Sequence, residues 1–314
     1  MLRTGFIYDP DFLEHDTGHG HPERKERLSA TMTHLRGLEW FDDLVPIEPK
    51  PADPMWIETI HDSSYIERAK QVCEAGNPFL DVADVGVSRR SCEIAHLAVG
   101  SAMALADSIV DSKVDNGFIL SRPPGHHAEQ NAAMGFCLFN NVAIAARYLQ
   151  RTHGVDKVLI LDFDVHHGNG TQHSFEEDPS VMYASIHQYP YYPGTGAASE
   201  TGTGRGSGAT VNCPMPAGAG DKEYQEAFAS RLLPAISEFA PEFVILSAGF
   251  DAHVADPLAQ IRLSTESYGW MTDRILEATD GSAKTLSILE GGYNIDVLPL
   301  CIEAHLRSLM QREA

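Results

Sequence analysis

One short stretch of this chain places two carboxylates and an imidazole at alternate positions. Asp162, Asp164 and His166 are separated by Phe163 and Val165. In an extended chain alternate side chains point to the same side, so the polar groups can share a face while the apolar residues pack away from it. The pattern predicts a metal site. The alternative is a polar strand end whose side chains are satisfied by neighbouring amides.

A third metal ligand is available from a distant part of the chain. Asp164, His166 and Asp251 would supply nitrogen and oxygen ligands without a thiolate. A catalytic zinc commonly has three protein ligands and one open position for water or substrate. Because such ligands also bind Fe(II) or Co(II), the sequence predicts a metal more firmly than it predicts which metal.

Two adjacent histidines are candidates for proton transfer. His126 and His127 follow Pro123-Pro-Gly125, which predicts a rigid turn. Metal-assisted hydrolysis needs a base for the attacking water and an acid for the leaving group. An imidazole serves when a hydrogen-bond partner holds its tautomer, and Asp162 and Asn169 are candidate partners. The alternative is that one histidine of the pair is structural.

A tyrosine follows two glycines near the end of the chain. Gly291 and Gly292 would let a substrate approach the backbone closely, so we predict Gly291 as a substrate-binding residue. The phenol of Tyr293 could donate a hydrogen bond to a developing oxyanion. The alternative is a core tyrosine whose hydroxyl is satisfied locally.

These residues follow short apolar runs that predict β-strands. The runs are Gly117–Leu120, Lys157–Leu161, Val181–Ile186, Phe243–Ser247 and Thr285–Leu289. Apolar residues at helical spacing, or alanine-rich composition, predict helices at Ser91–Val110, Asn140–Gln150, Lys222–Phe239 and Thr265–Ala278. This alternation predicts an α/β fold with a mostly parallel sheet covered on both faces. Ligands of such sheets bind beyond the carboxyl ends of the strands, so residues 126 to 293 should meet there in a single domain.

Composition narrows the classes of function. The chain has 314 residues, of which 43% are hydrophobic and 21% charged, as in an ordinary globular protein. Its formal net charge of −21 argues against a nucleic-acid partner, because phosphate binding needs a cationic face. The charge fits a cationic substrate and, equally, a well-solvated surface.

The sequence also carries expectations about location. Its N-terminus lacks a basic segment followed by an apolar stretch, so we expect no secretory signal. The sequence contains no run of about 18 apolar residues, so we expect no membrane partner. The five cysteines lie far apart without a C-x-x-C pair, which favours a reducing cytoplasm. Whether the chain forms a homo-oligomer stays open.

A set of motifs in a fixed order carries a resemblance to a known family. The motifs are His21-Pro-Glu-Arg24, Arg122-Pro-Pro-Gly-His-His127, Gly135-Phe-Cys-Leu-Phe-Asn-Asn141, Asp162-Phe-Asp-Val-His-His-Gly-Asn169, Gly194-Thr-Gly196, Ala248-Gly-Phe-Asp251 and Glu290-Gly-Gly-Tyr-Asn294. Together they resemble the zinc-dependent histone deacetylase family, in its class II and bacterial histone deacetylase-like amidohydrolase branch. The resemblance implies one arginase-like catalytic domain over residues 1–314, with a central, mostly parallel sheet of about eight strands flanked by helices.

The resemblance implies a role for each catalytic candidate. The zinc ligands would be Asp164, His166 and Asp251. His127 matches the general base and acid, and His126 matches its partner, oriented by Asp162. Asn169 stands where the class I branch has an aspartate, and an asparagine at this position fits class II. Tyr293 matches the phenol that polarises the acyl carbonyl, and its presence predicts real deacetylase activity.

The resemblance also implies potassium sites and a substrate tunnel. An inner potassium ion would be bound by Asp162, Asp164, Ser185 and the carbonyls of His166 and Ile186. An outer one would be bound by the backbone of Phe175, Asp178 and Val181. The tunnel residues would be Phe136 and Tyr192 on its walls, Gly135 as acceptor of the substrate amide, Leu258 at the rim and Arg27 at an acetate-release cavity.

The resulting prediction is a deacetylase that hydrolyses acetyl-lysine, or a related acyl-lysine, in proteins or peptides. The first alternative is an acetylpolyamine amidohydrolase. Leu258 stands where eukaryotic polyamine deacetylases carry an acidic residue, and no long insertion of the bacterial polyamine type precedes Ser91. The second alternative is a silent acyl-lysine binding module, against which His126, His127 and Tyr293 argue.

Overall fold

The computed structural model describes residues 2–279 and 283–311. Its centre is a sheet of eight strands, and every pair of neighbouring strands is parallel. The strands are β1 (Thr4–Ile7), β2 (Val45–Pro46), β3 (Asn116–Ile119), β4 (Val158–Asp162), β5 (Val181–Gln188), β6 (Thr210–Met215), β7 (Phe243–Ala248) and β8 (Lys284–Leu289). They lie in the order β2-β1-β3-β8-β7-β4-β5-β6. The predicted single α/β domain is confirmed.

Both faces of the sheet are buried, which explains the continuous apolar runs. In β4, Leu159 and Leu161 belong to one apolar cluster, whereas Val158 and Ile160 belong to another. Successive side chains of a strand point to opposite faces, so the two clusters lie on opposite sides of the sheet. A strand that is covered by helices on both faces does not alternate between polar and apolar residues.

Ten α-helices surround the sheet within the described residues. They are α1 (Glu26–Leu35), α2 (Pro54–Ile57), α3 (Ser63–Ala75), α4 (Ser91–Val110), α5 (Asn141–His153), α6 (Asn169–Phe175), α7 (Asp221–Ala227), α8 (Leu233–Phe239), α9 (Glu266–Ala278) and α10 (Leu298–Leu309). By length and composition alone, α4 could cross a membrane, and it is the one such helix in the described part of the chain. It packs here on α5 and the sheet, with 61% of its most apolar stretch buried.

One predicted helix is interrupted. The segment Lys222–Phe239 forms α7 and α8 with a π-helical turn, Phe228–Leu232, between them. Pro234 occupies the first turn of α8, and its missing N–H cannot donate to the preceding turn. The helix pitch therefore changes before the proline.

The strand register brings the candidate site together. Asp162, at the carboxyl end of β4, lies beside Ser185 of β5 and Ser247 of β7. Glu290 directly follows β8, the next strand beyond β7. The segments that carry the candidate residues therefore leave the sheet side by side, as the sequence predicts.

Candidate active site

The three predicted metal ligands form one buried group. In Asp164, His166 and Asp251 the candidate ligand atoms all lie within 4.8 Å of one another. His166 Nδ1 is 3.1 Å from Asp164 Oδ1 and 3.1 Å from Asp251 Oδ2. An imidazole nitrogen and two carboxylate oxygens without a thiolate suit a catalytic zinc. In residues 2–279 and 283–311 this is the one cluster of His, Cys, Asp or Glu side chains close enough to share an ion.

The backbone holds the carboxylates of this group in place. Gly291 N–H donates to Asp164 Oδ2 at 2.8 Å, and Val165 N–H donates to Asp251 Oδ1 at 2.8 Å. A Cβ on Gly291 would lie 2.2 Å from Asp251 Oδ2 and 2.5 Å from Asp164 Oδ2. Gly291, predicted as a substrate-binding residue, therefore packs directly behind two of the predicted zinc ligands.

His126 pairs with Asp162, as predicted. His126 Nδ1 lies 3.0 Å from Asp162 Oδ2, which also accepts from the Tyr183 hydroxyl at 3.1 Å. Burial disfavours the charged form of His126, but the carboxylates of Asp162 and Asp164 outweigh it and raise its pKa to about 10. Its Nδ1 is therefore engaged by Asp162, and the imidazole of the pair that lines the cavity is that of His127.

His127 has the opposite character. Its Nδ1 lies 2.7 Å from Asn169 Oδ1, and its ring is 4.0 Å from the ring of His126. Burial, together with the nearby imidazoles of His126 and His166, lowers the pKa of His127 well below its usual value. A neutral imidazole that borders the cavity is the form a general base requires.

A cavity of about 210 Å³ joins these groups to the surface. It is lined by Asp84, His127, Gly135, Phe136, His166, Tyr191, Tyr192, Leu258 and Tyr293. The Tyr192 ring lies 5.2 Å from the ring of His127, and the Phe136 ring lies 5.6 Å from that of Tyr293. Two aromatic walls thus adjoin His127, the candidate base, and the Tyr293 phenol, in the positions that the resemblance implies.

Tyr293 is held as a protonated donor. Burial and the carboxylates of Asp251 and Asp164 raise the pKa of its phenol well above the ordinary value. Its backbone N–H donates to Asp256 Oδ2 at 2.7 Å, and the N–H of Leu258 donates to Asp256 Oδ1 at 3.0 Å. One buried carboxylate therefore ties the backbone of Tyr293 to that of Leu258, which lines the cavity.

Arg27 lies fully buried on the inner side of Tyr293. Its guanidinium carbon is 5.0 Å from the centre of the Tyr293 ring. The guanidinium donates to the carbonyls of Gly292 and Glu290 at 2.6 and 2.5 Å, and to Glu23 at 3.0 Å. The position fits the inner end of the site, while its part in acetate release stays a prediction.

The proposed potassium ligands are only partly free for an ion. Asp162 and Ser185 are neighbours on adjacent strands, and Ser185 Oγ also lies 2.8 Å from His187 Nδ1. At the outer position the Phe175 carbonyl accepts from Asp178 N–H at 2.9 Å, and the Asp178 carbonyl accepts from Val181 N–H at 3.4 Å. Both ions stay predictions.

Several site residues escaped the sequence analysis. The Tyr191 ring stacks on His166 with 5.8 Å between centres, and its hydroxyl donates to the Leu258 carbonyl. Asp84 accepts from the Tyr192 hydroxyl at 3.4 Å. The pair Tyr191-Tyr192 can be recognised in the sequence, because two adjacent aromatic residues in a loop indicate a binding surface. Asp84 had no such signal among the many acidic residues.

Comparison with known proteins agrees with this geometry. The family model of the histone deacetylase domain matches residues 21–309. The chain is 39% identical to histone deacetylase 14, chloroplastic, of Arabidopsis thaliana, over 94% of this chain and 74% of that protein. It is 37% identical to a probable deacetylase of Archaeoglobus fulgidus, over 93% of this chain and 82% of that protein.

A solved structure gives the same result. The crystal structure of the HDA15 HD domain is 38% identical and superposes with a TM-score of 0.93, covering 99% of this chain and 89% of that one. The chain belongs to the histone deacetylase family. It is a hydrolytic deacetylase whose family is generally zinc-dependent.

Proposed function

We propose that the chain hydrolyses the amide of Nε-acetyl-lysine, or a related acyl-lysine, in proteins or peptides. The supporting observation is the cavity, which has Leu258 among its lining residues, Phe136 and Tyr192 as aromatic walls, and His127 and Tyr293 beside the predicted metal ligands. Aromatic walls suit the aliphatic stem of lysine, and Leu258 adds an apolar contact.

The protein groups divide the chemistry between them. The Asn169 carbonyl oxygen accepts from Nδ1–H of His127, which leaves Nε2 free to take a proton from the attacking water. The Tyr293 phenol donates to the acyl oxygen as negative charge develops there. His127 then returns its proton to the departing lysine amine, and acetate remains. Zinc, held by Asp164, His166 and Asp251, would supply a Lewis acid and lower the pKa of water.

Several finer assignments accompany this proposal. We propose that residues 1–314 act as one catalytic domain with one zinc ion and up to two structural potassium ions. The five buried, unpaired cysteines support a reducing compartment, for which we propose the cytoplasm.

An N-acetylpolyamine is the second candidate substrate. The observation that favours it is the Asp84 carboxylate at the cavity, which would pair with a substrate ammonium. Measuring kcat/KM side by side for acetyl-lysine peptides, longer acyl-lysines, free N-acetylpolyamines and small acetamides separates the two. We expect the peptides to be preferred and a chelator to abolish turnover. A preference for N-acetylpolyamines would overturn the order of the candidates, and turnover that survives zinc removal would overturn the chemistry.

A further inference from the structure

We propose that Glu129 is a positioning residue that sets the tautomer of His127 through the amide of Asn169. This inference rests on the proposed function, in which His127 acts as the base. Asn169 lies between the two residues: its Oδ1 is 2.7 Å from His127 Nδ1, and its Nδ2 donates to Glu129 Oε1 at 2.5 Å.

The direction of the Asn169 amide decides which nitrogen of His127 carries the proton. A terminal amide has one accepting and one donating end, and either end could face the imidazole. With Oδ1 toward His127, Nδ1 must be protonated and Nε2 keeps its lone pair. With Nδ2 toward His127, Nδ1 must accept and Nε2 carries the proton, so the base is blocked.

A carboxylate on the far side of Asn169 removes this ambiguity. An ionised carboxylate only accepts hydrogen bonds, so Glu129 selects the orientation that directs Nδ2 toward itself. The other contacts of Asn169 Nδ2 are weaker: the His127 carbonyl lies 3.4 Å away, and the Met134 thioether, at 3.5 Å, is a poor acceptor. Without Glu129 the orientation of the amide is therefore only weakly determined.

Glu129 is itself held by its backbone. Its N–H donates to the Ala132 carbonyl at 2.9 Å, and its carbonyl lies 2.8 Å from His61 Nδ1. The Nε2 atom of His61 accepts from Asn140 N–H at 2.9 Å, so Nδ1 is the donating nitrogen. These hydrogen bonds fix the backbone of Glu129 and so hold its carboxylate beside Asn169 of α6.

The outer side of the Glu129 carboxylate is also occupied. His173 Nδ1 lies 2.9 and 3.0 Å from its two oxygens. Burial disfavours the charge of Glu129, but the hydrogen bonds from His173 and Asn169 outweigh it and lower the pKa of Glu129 below its usual value. The acceptor is therefore ionised at neutral pH.

The first test is a double-mutant cycle on the zinc-loaded protein with an acetyl-lysine peptide. We expect Glu129→Ala to lower kcat by about 10- to 100-fold, the range for orienting partners of site residues, with little change in KM. In an Asn169→Asp background the same change should leave kcat unaltered or raise it, because a carboxylate at position 169 accepts from Nδ1–H in either orientation. An equal loss in both backgrounds would indicate a merely structural effect and overturn the proposal.

Glu200, whose carboxylate contacts the same helix, provides a matched control. Glu200 also accepts from a side-chain amide of α6, that of Gln172, at 2.7 Å, and it does not contact Asn169. Glu200→Ala should leave kcat within about twofold, since this part-buried hydrogen bond ends at Gln172 and carries no orienting role at His127. A loss as large as that of Glu129→Ala would contradict the specificity of the assignment.

The second test reads the tautomer without activity. Nitrogen-15 NMR of labelled imidazoles, with His127 assigned by its loss in His127→Ala, distinguishes Nδ1–H from Nε2–H. We expect Nδ1–H in the wild type and a mixture in Glu129→Ala. An unchanged tautomer in Glu129→Ala overturns the inference. A changed tautomer in a protein that is inactive on acetyl-lysine peptides would refute the proposed function and leave the positioning role in place.

Discussion

Adding one methyl group behind the predicted metal ligands should cripple the site without touching a ligand. In Gly291→Ala the new Cβ would lie 2.2 Å from Asp251 Oδ2, whereas real Cβ atoms essentially never come closer than 3.0 Å to another atom. The new Cβ and the carboxylate must therefore move apart by at least 0.8 Å, the difference between these distances. Because the φ angle of Gly291 is not positive, backbone strain does not complicate the result.

The expected loss follows from this displacement. Metal–ligand distances tolerate errors of only about 0.2 Å, and a misplacement of about 1 Å can cost on the order of 10²-fold in rate. We expect the zinc dissociation constant of Gly291→Ala to rise at least about tenfold. We expect its kcat/KM, at saturating zinc, to fall about 100-fold.

The assay pairs zinc competition against a chelator with peptide deacetylation kinetics, and circular dichroism confirms folding. Gly220→Ala is the control, because its Cβ would meet nothing closer than 3.4 Å and its φ is −125°. A Gly291→Ala protein that keeps both zinc affinity and kcat/KM within twofold of the Gly220→Ala control would refute the packing argument.

Three further changes probe the phenol, the rim and the buried core. Tyr293→Phe should lower kcat by about 10²–10³-fold at full zinc occupancy, the usual loss for one oxyanion donor, and near-normal turnover would contradict that role. Leu258→Glu should shift the kcat/KM ratio about fivefold toward N-acetylpolyamines, since an exposed ion pair contributes up to about 1 kcal/mol; an unmoved ratio would remove Leu258 from the specificity argument. His305 is buried between the Thr272 and Ser287 hydroxyls, and burial lowers its pKa to about 3. Because that pKa lies below the unfolded value of about 6.5, its neutral form stabilises the fold above pH 6.5, and this contribution is lost as pH falls toward 3. Between pH 6.5 and pH 3, the free energy of unfolding of His305→Gln, measured with urea, should therefore fall less steeply than that of the wild type, by up to about 1.4 kcal/mol per pH unit. An identical pH slope in the two proteins would exclude this contribution.

The strands that sequence patterns could identify are those with enough buried residues to form a pattern. Every residue of β4 and β7 is buried and each strand begins with four apolar residues, because each strand is covered on both faces. By contrast, β2 has two residues, too few to form a pattern, so its place depends on pairing with β1. The edge strand β6 contains Pro214, which local patterns disfavour in a strand.

The site residues that the sequence predicts also differ physically from those that it does not predict. Asp164 and Asp251 follow strands, and parallel strands end at a common edge, so their meeting could be predicted. Asp256 and Asp84 act from loops, and their contacts depend on how separate loops pack together. Glu129 stands only two residues after His127, yet its link to that histidine passes through Asn169, a contact that sequence spacing does not reveal.

The carboxylate of Asp256 joins the backbone of Leu258, at the cavity mouth, to the backbone of Tyr293 through two hydrogen bonds. A substitution that moves the backbone of Leu258 acts on this shared anchor, so we expect it to shift the backbone of Tyr293 as well. We therefore expect variants selected at Leu258 for a broader choice of substrate to lose hydrolysis rate, unless position 256 is rebuilt as well.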